Sequence, residues 1–125
     1  MLKATLGKNL QTTVELAGKA PLHTAFNDPR LDMNPGEVLA SALGACMLTM
    51  IGFMAGKHGD NAEGTTLDIR AQFDDKHSRI TGFELTFTFP ADFTPEQKEK
   101  YAKLAQGCPV HNSLREDMKY TVKIV

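Results

Sequence analysis

Two residues offer nucleophilic chemistry, Cys46 and Cys108. Cys108 is followed by Pro109, a residue suited to the first position of a helix, so its thiol is expected at a helix N-cap. Unpaired backbone N–H groups and the helix dipole at such a place favour the thiolate, the nucleophilic form. Cys46 lies deep in an uncharged run, away from any helix end, and by its surroundings alone reads as a core residue. The 61 residues between them carry no spacing signature, so inert burial stays open for both. Four histidines, His23, His58, His77 and His111, show no metal-ligand spacing. Cys108 and His111 stand three apart and can share a helix face, but two ligands do not make a zinc site. No dinucleotide fingerprint, phosphate loop, nucleophile elbow or H-E-x-x-H occurs, which removes nucleotide-binding, α/β-hydrolase and zincin readings. Neither a metal nor a cofactor is expected.

These thiols belong to a chain of 125 residues with 42% apolar and 23% charged side chains. That is the length and mixture of one globular domain, here expected over 1–125. Fourteen Lys and Arg against fifteen Asp and Glu leave a net charge of −1 with both signs scattered. A basic face for nucleic acid or an anionic membrane is not expected. The N-terminus lacks the apolar core and cleavage site of a signal peptide, and two cysteines are too few for a disulfide framework. A cytoplasmic protein is the expectation. Residues Val38 to Gly56 are free of charge for 19 positions, close to a bilayer span. The serine, threonine and glycines within that run favour a helix enclosed by protein instead.

The elements that must position the thiols follow from local signals. Ala4 to Leu6 and Thr12 to Leu16 flank Gly7-Lys8-Asn9 as a hairpin, and Leu22 to Phe26 forms another short strand ended by Asn27-Asp28-Pro29. Asn34, Pro35 and Glu37 supply cap, first position and third position of a helix reaching Ala55. Leu67 to Asp74 and Phe83 to Phe89 alternate apolar and polar, as in a hairpin with one wet face. Thr94-Pro95-Glu96-Gln97 starts a helix to about Gln106, and a short helix is expected from Cys108 to near Asp117. Tyr120, Val122 and Ile124 mark a last strand. The sum is an α+β fold, an antiparallel sheet packed on one long apolar helix.

Two segments together resemble the OsmC/Ohr family of osmotically inducible and organic-hydroperoxide-resistance proteins. They are Asn34-Pro35-Gly36-Glu37, with Cys46 nine residues after Glu37, and Gly107-Cys108-Pro109-Val110 about sixty residues on. The resemblance covers nearly the whole chain and is weakest over the first 30 residues. It implies an intertwined homodimer with the site at the subunit interface and a thiol peroxidase reducing organic hydroperoxides. In that scheme Cys46 attacks the peroxide, Cys108 captures the sulfenic acid as a disulfide, and an external dithiol restores the pair. It also implies that Glu37 holds an arginine that lowers the pKa of Cys46. The family arginine comes from the N-terminal hairpin, whereas the first arginine of this chain is Arg30. Arg30 is therefore the candidate cation, with Lys3, Lys8 and Lys19 behind it. The alternative is a divergent, non-peroxidatic relative that binds a small or lipidic ligand, its cysteines redox sensors or inert.

Overall fold

The N-terminal 39 residues build a small antiparallel sheet from β1 (Lys3–Leu6), β2 (Thr12–Glu15) and β3 (Leu22–Thr24), in that order. The expected hairpin pairs Lys3 with Glu15 and Leu6 with Thr12. Its turn closes through Gly7 N–H to the Gln11 carbonyl at 2.8 Å, with Asn9 and Leu10 in the left-handed region at φ 54° and 57°. Asparagine tolerates that conformation, and leucine adopts it at some cost. β3 stops at Thr24, two residues short of the expected Phe26, because the Ala25 N–H turns to the Met33 carbonyl at 3.1 Å. The computed structural model describes residues 1–27 and 31–125. Arg30 and the Asp28-Pro29 turn lie outside the described residues.

The chain's contacts separate two units, Met1–Leu39 and Ala40–Val125, and α1 (Pro35–Lys57) begins in the first. Its start is the expected cap. The Asn34 Oδ1 accepts from the Glu37 N–H at 2.9 Å, and the Asn34 amide donates to the Glu37 carboxylate at 2.6 Å.

In the second unit, β4 (Thr66–Phe73) and β5 (Ile80–Thr88) form the expected antiparallel hairpin. Asp74 shapes its turn by accepting from the Ser78 and Arg79 N–H groups, and His77 takes φ 50°. The inward residues Phe83, Leu85 and Phe87 are buried with Leu43, Met47, Ile51 and Ala55 of α1. Gly44 permits the close approach, since a Cβ there would stand 2.4 Å from Ile69 Cδ1. After β5, α2 (Pro95–Ala105) opens on a full capping box between Thr94 and Gln97. A shorter helix than expected, α3 (Pro109–Ser113), gives way to extended backbone at Leu114. β6 (Lys119–Ile124) then lies beside β5.

β6 runs parallel to β5, whereas the sequence pattern suggested antiparallel strands throughout. The long α2–α3 crossover carries the chain back to the starting end of β5, which a tight hairpin cannot do. Within one chain α1 is covered on one side only. Its buried stripe is narrow, Leu43, Gly44, Met47, Ile51 and Ala55. Phe53 is 61% exposed, and a Cβ added at Gly52 or Gly56 would meet nothing within 4 Å. One three-stranded sheet can cover only one side of a helix. α1 is also long and apolar enough to cross a membrane, a test that the core helix of a globular protein passes equally.

Candidate active site

Cys46, near the start of the second unit, and Cys108, just after α2, both belong to its apolar cluster. Cys46 is one residue before the buried Met47 and is itself half-buried. Cys108 arrives by way of α2, whose Tyr101, Ala102 and Ala105 are buried. The helix ends at Gly107, and the Cys108 N–H still bonds the Ala105 carbonyl at 3.2 Å. That turn sends the Cys108 side chain inward, where it is fully buried. Cys46 packs against the same apolar cluster and is near enough to perturb the Cys108 thiol. Both thiols are unbridged.

Cys108 is the N-cap of α3, as expected, and its Sγ accepts from the His111 N–H at 3.3 Å. The expected activation does not follow. Burial pushes the Cys108 thiol above its ordinary pKa, the adjacent Cys46 adds to that, and the His111 and Val110 N–H groups pull the other way without prevailing. Two amide donors on a five-residue helix offset less than the loss of water around a thiolate. Cys108 is held as a thiol.

Two further groups surround it that sequence reasoning left unassigned. The His111 ring packs on Tyr120 with centroids 4.6 Å apart, and Tyr120 stacks on Phe83. Burial, and secondarily the charge of a Cys108 thiolate, raise the Tyr120 pKa. The His111 Nδ1 is buried with no hydrogen-bond partner. The three-residue spacing signalled His111; Tyr120 joins only because β6 takes up its parallel register, Phe83 opposite Tyr120.

On its other side Cys46 opens on a groove of about 450 Å³ lined by Ala45, Thr49, Met50, Phe53 and Pro109. None of these side chains is charged. The Lys57 ammonium sits over the Phe53 ring, 4.8 Å from its centroid. Such a groove suits an apolar organic molecule with one reactive atom turned toward the thiol.

The remaining expected residues belong to the N-terminal part of the chain. Glu37 is in the first turn of α1, its carboxylate held by Asn34, and Lys3, Lys8 and Lys19 are exposed in the N-terminal unit. Arg30 is outside the described residues. Among the described residues no three of His, Cys, Asp or Glu gather as metal ligands.

Comparison with known proteins adds the following. The family model for OsmC-like proteins matches residues 27–123. A solved structure from Psychrobacter arcticus 273-4, ascribed to osmotic stress and detoxification responses, superposes with a TM-score of 0.88 at 26% identity. That match covers 99% of this chain and 94% of the other. An OsmC-like protein from Mycoplasma pneumoniae matches with a TM-score of 0.87 at 15% identity, over 100% and 94% of the two chains. An organic hydroperoxide resistance protein OsmC from Legionella pneumophila, described as a predicted redox protein, gives 0.79 at 19% identity, over 99% and 94%. The last two likenesses establish the fold alone. No curated protein matches the chain.

Proposed function

The chain belongs to the OsmC-like protein family, and from that premise we propose that it reduces organic hydroperoxides with its two thiols. The carrying observation is the meeting of Cys46 and Cys108, 62 positions apart in sequence, beside an uncharged groove. Cys46 is the attacking thiol, because it alone of the two lines the groove. Its thiolate attacks the outer peroxide oxygen, the O–O bond breaks, and the alcohol leaves while the sulfur becomes a sulfenic acid. Cys108 then displaces the hydroxyl, forming the disulfide and water, and an external dithiol reduces the pair by exchange. The protonated state of Cys108 suits this order, since a resolving thiol has no need of charge before the sulfenic acid forms.

Activation of Cys46 calls for a cation, and Arg30 oriented by Glu37 is the proposed source. The working form is a homodimer in the cytoplasm. The open apolar side of α1 supports the pairing, as do Leu6, Phe26 and Leu31, which are 71%, 64% and 88% exposed.

Titration with one equivalent of cumene hydroperoxide tests the reading. Both free thiols are expected to disappear into one intramolecular disulfide, and Cys108→Ser to accumulate sulfenic acid, or a higher oxide, at Cys46. Thiol counts unchanged by peroxide would overturn it in favour of a ligand-binding protein.

A further inference from the structure

Resolution of the sulfenic acid requires a proton to leave the Cys108 Sγ and a proton to reach the departing hydroxyl. We propose that the imidazole of His111 carries that proton, taking it on Nδ1 from Cys108 and returning it to the oxygen leaving Cys46. The inference rests on the peroxidase reading and adds a residue to it. The step is balanced without any outside reagent. The Sγ–O bond of Cys46 breaks and the Sγ–Sγ bond forms. The Cys46 sulfur is reduced, the Cys108 sulfur is oxidised, and the hydroxyl departs as water.

Three observations place His111 in this role. It is the third residue of α3, and its own N–H donates to the Cys108 Sγ at 3.3 Å, so the two residues are held in one turn. Side chains at that third position reach back toward the cap, as they do in a capping box, and here the cap is the reacting sulfur. The Nδ1 is buried and lacks any hydrogen-bond partner in the reduced protein. Such an atom costs stability in the reduced protein, and a partner that arrives during the reaction accounts for its being kept. Finally, the Tyr120 ring at 4.6 Å limits where the imidazole can swing. With Nε2 carrying the proton, Nδ1 is the acceptor, and the missing bond forms as the Cys108 sulfur moves onto the sulfenic acid.

The need for such a group comes from Cys108 itself. A buried thiol with a raised pKa does not ionise unaided near neutrality, and it attacks far more slowly than a thiolate. His111 is the one imidazole in its turn, and general-base help of this kind is worth about 100-fold or more.

The test separates the two steps. Reduced protein is mixed with tert-butyl hydroperoxide, sulfenic acid is followed by trapping with a cyclic 1,3-diketone, and closure is followed by loss of the second thiol. His111→Gln and His111→Ala are expected to form sulfenic acid at the wild-type rate and to close the disulfide about 100-fold more slowly. Added imidazole is expected to restore part of the closure rate in His111→Ala. Closure at the wild-type rate in both variants overturns the inference. So does wild-type closure in His111→Gln alone, which would make the side chain a spacer. Thiols left unconsumed by peroxide in the wild type would fall on the peroxidase reading instead, and would take this inference with it.

Discussion

Tyr101→Phe isolates one hydrogen bond that ties the loop after α1 to α2, the helix that delivers Cys108. The Tyr101 ring is fully buried, packed on Phe93 with centroids 5.8 Å apart and edge-on to His58. Its hydroxyl donates to the Asp60 carboxylate, whose other oxygen accepts from the Gln97 amide at 3.2 Å. Phenylalanine keeps the ring and removes the donor, so no cavity opens. A hydrogen bond to a charged group contributes about 1.5–3 kcal/mol. With an unfolding entropy of about 2.1 cal/mol/K per residue, a chain of this length loses roughly 6–11 °C of Tm. The same contact predicts a pH signature. Burial, and then the Asp60 hydrogen bond and charge, push the Tyr101 pKa from 10.0 to about 12. Between those values the folded protein keeps a proton that the unfolded chain has released. This contribution is therefore complete below pH 10 and is lost as pH rises toward 12. In Tyr101→Phe that loss is expected to shrink to the shares of Tyr120 and Cys108, both displaced in the same direction. Thermal unfolding followed by far-ultraviolet circular dichroism at pH 7, and urea titrations from pH 9 to 12, measure both effects. A Tm within 2 °C of wild type, or an alkaline fall as steep in the variant, would refute the reasoning.

Gly82→Ala should destabilise the fold by about 1–3 kcal/mol, because the added methyl would lie 2.2 Å from the Lys119 carbonyl oxygen across the β5–β6 pairing. Wild-type urea stability in that variant would show that β6 moves aside freely. Iodoacetamide should alkylate Cys46 in the native reduced protein well before Cys108, the first half-buried and the second fully buried with a raised pKa. Peptide mapping that finds Cys108 modified first would contradict the assigned roles. Phe53→Asp, on the open side of α1, should turn a dimer into a monomer in sedimentation velocity. A wild-type protein that already sediments as a monomer at micromolar concentration would remove the shared interface.

Much of the fold is local and was legible residue by residue. Thr94 and Gln97 form their capping box wherever the rest of the chain lies, because both partners sit within one turn. Asn34 caps α1 by an equally local contact, its Oδ1 accepting from the Glu37 N–H and its side-chain amide donating to the Glu37 carboxylate. The alternation in β4 and β5 reports a sheet with one buried face, and those strands appear where the pattern places them. Helix ends without a strong stop were less legible. α3 ends at Ser113, well before Asp117, since nothing after Leu114 continues its hydrogen bonds.

What the sequence alone determined was the set of elements, the two thiols and the family pattern around them. Tertiary structure decided the direction of β6, set by a crossover whose path no local signal encodes. It also decided the state of Cys108. An N-cap position and a following proline point to a stabilised thiolate, yet desolvation depends on every neighbour at once, and here burial outweighs two amide donors. The same holds for α1. Its apolar residues face every direction in sequence, but only packing shows that one stripe meets the sheet while the side bearing Phe53 stays open. Periodicity reports which residues avoid water. Which surface takes water's place is a property of chain segments far apart in sequence.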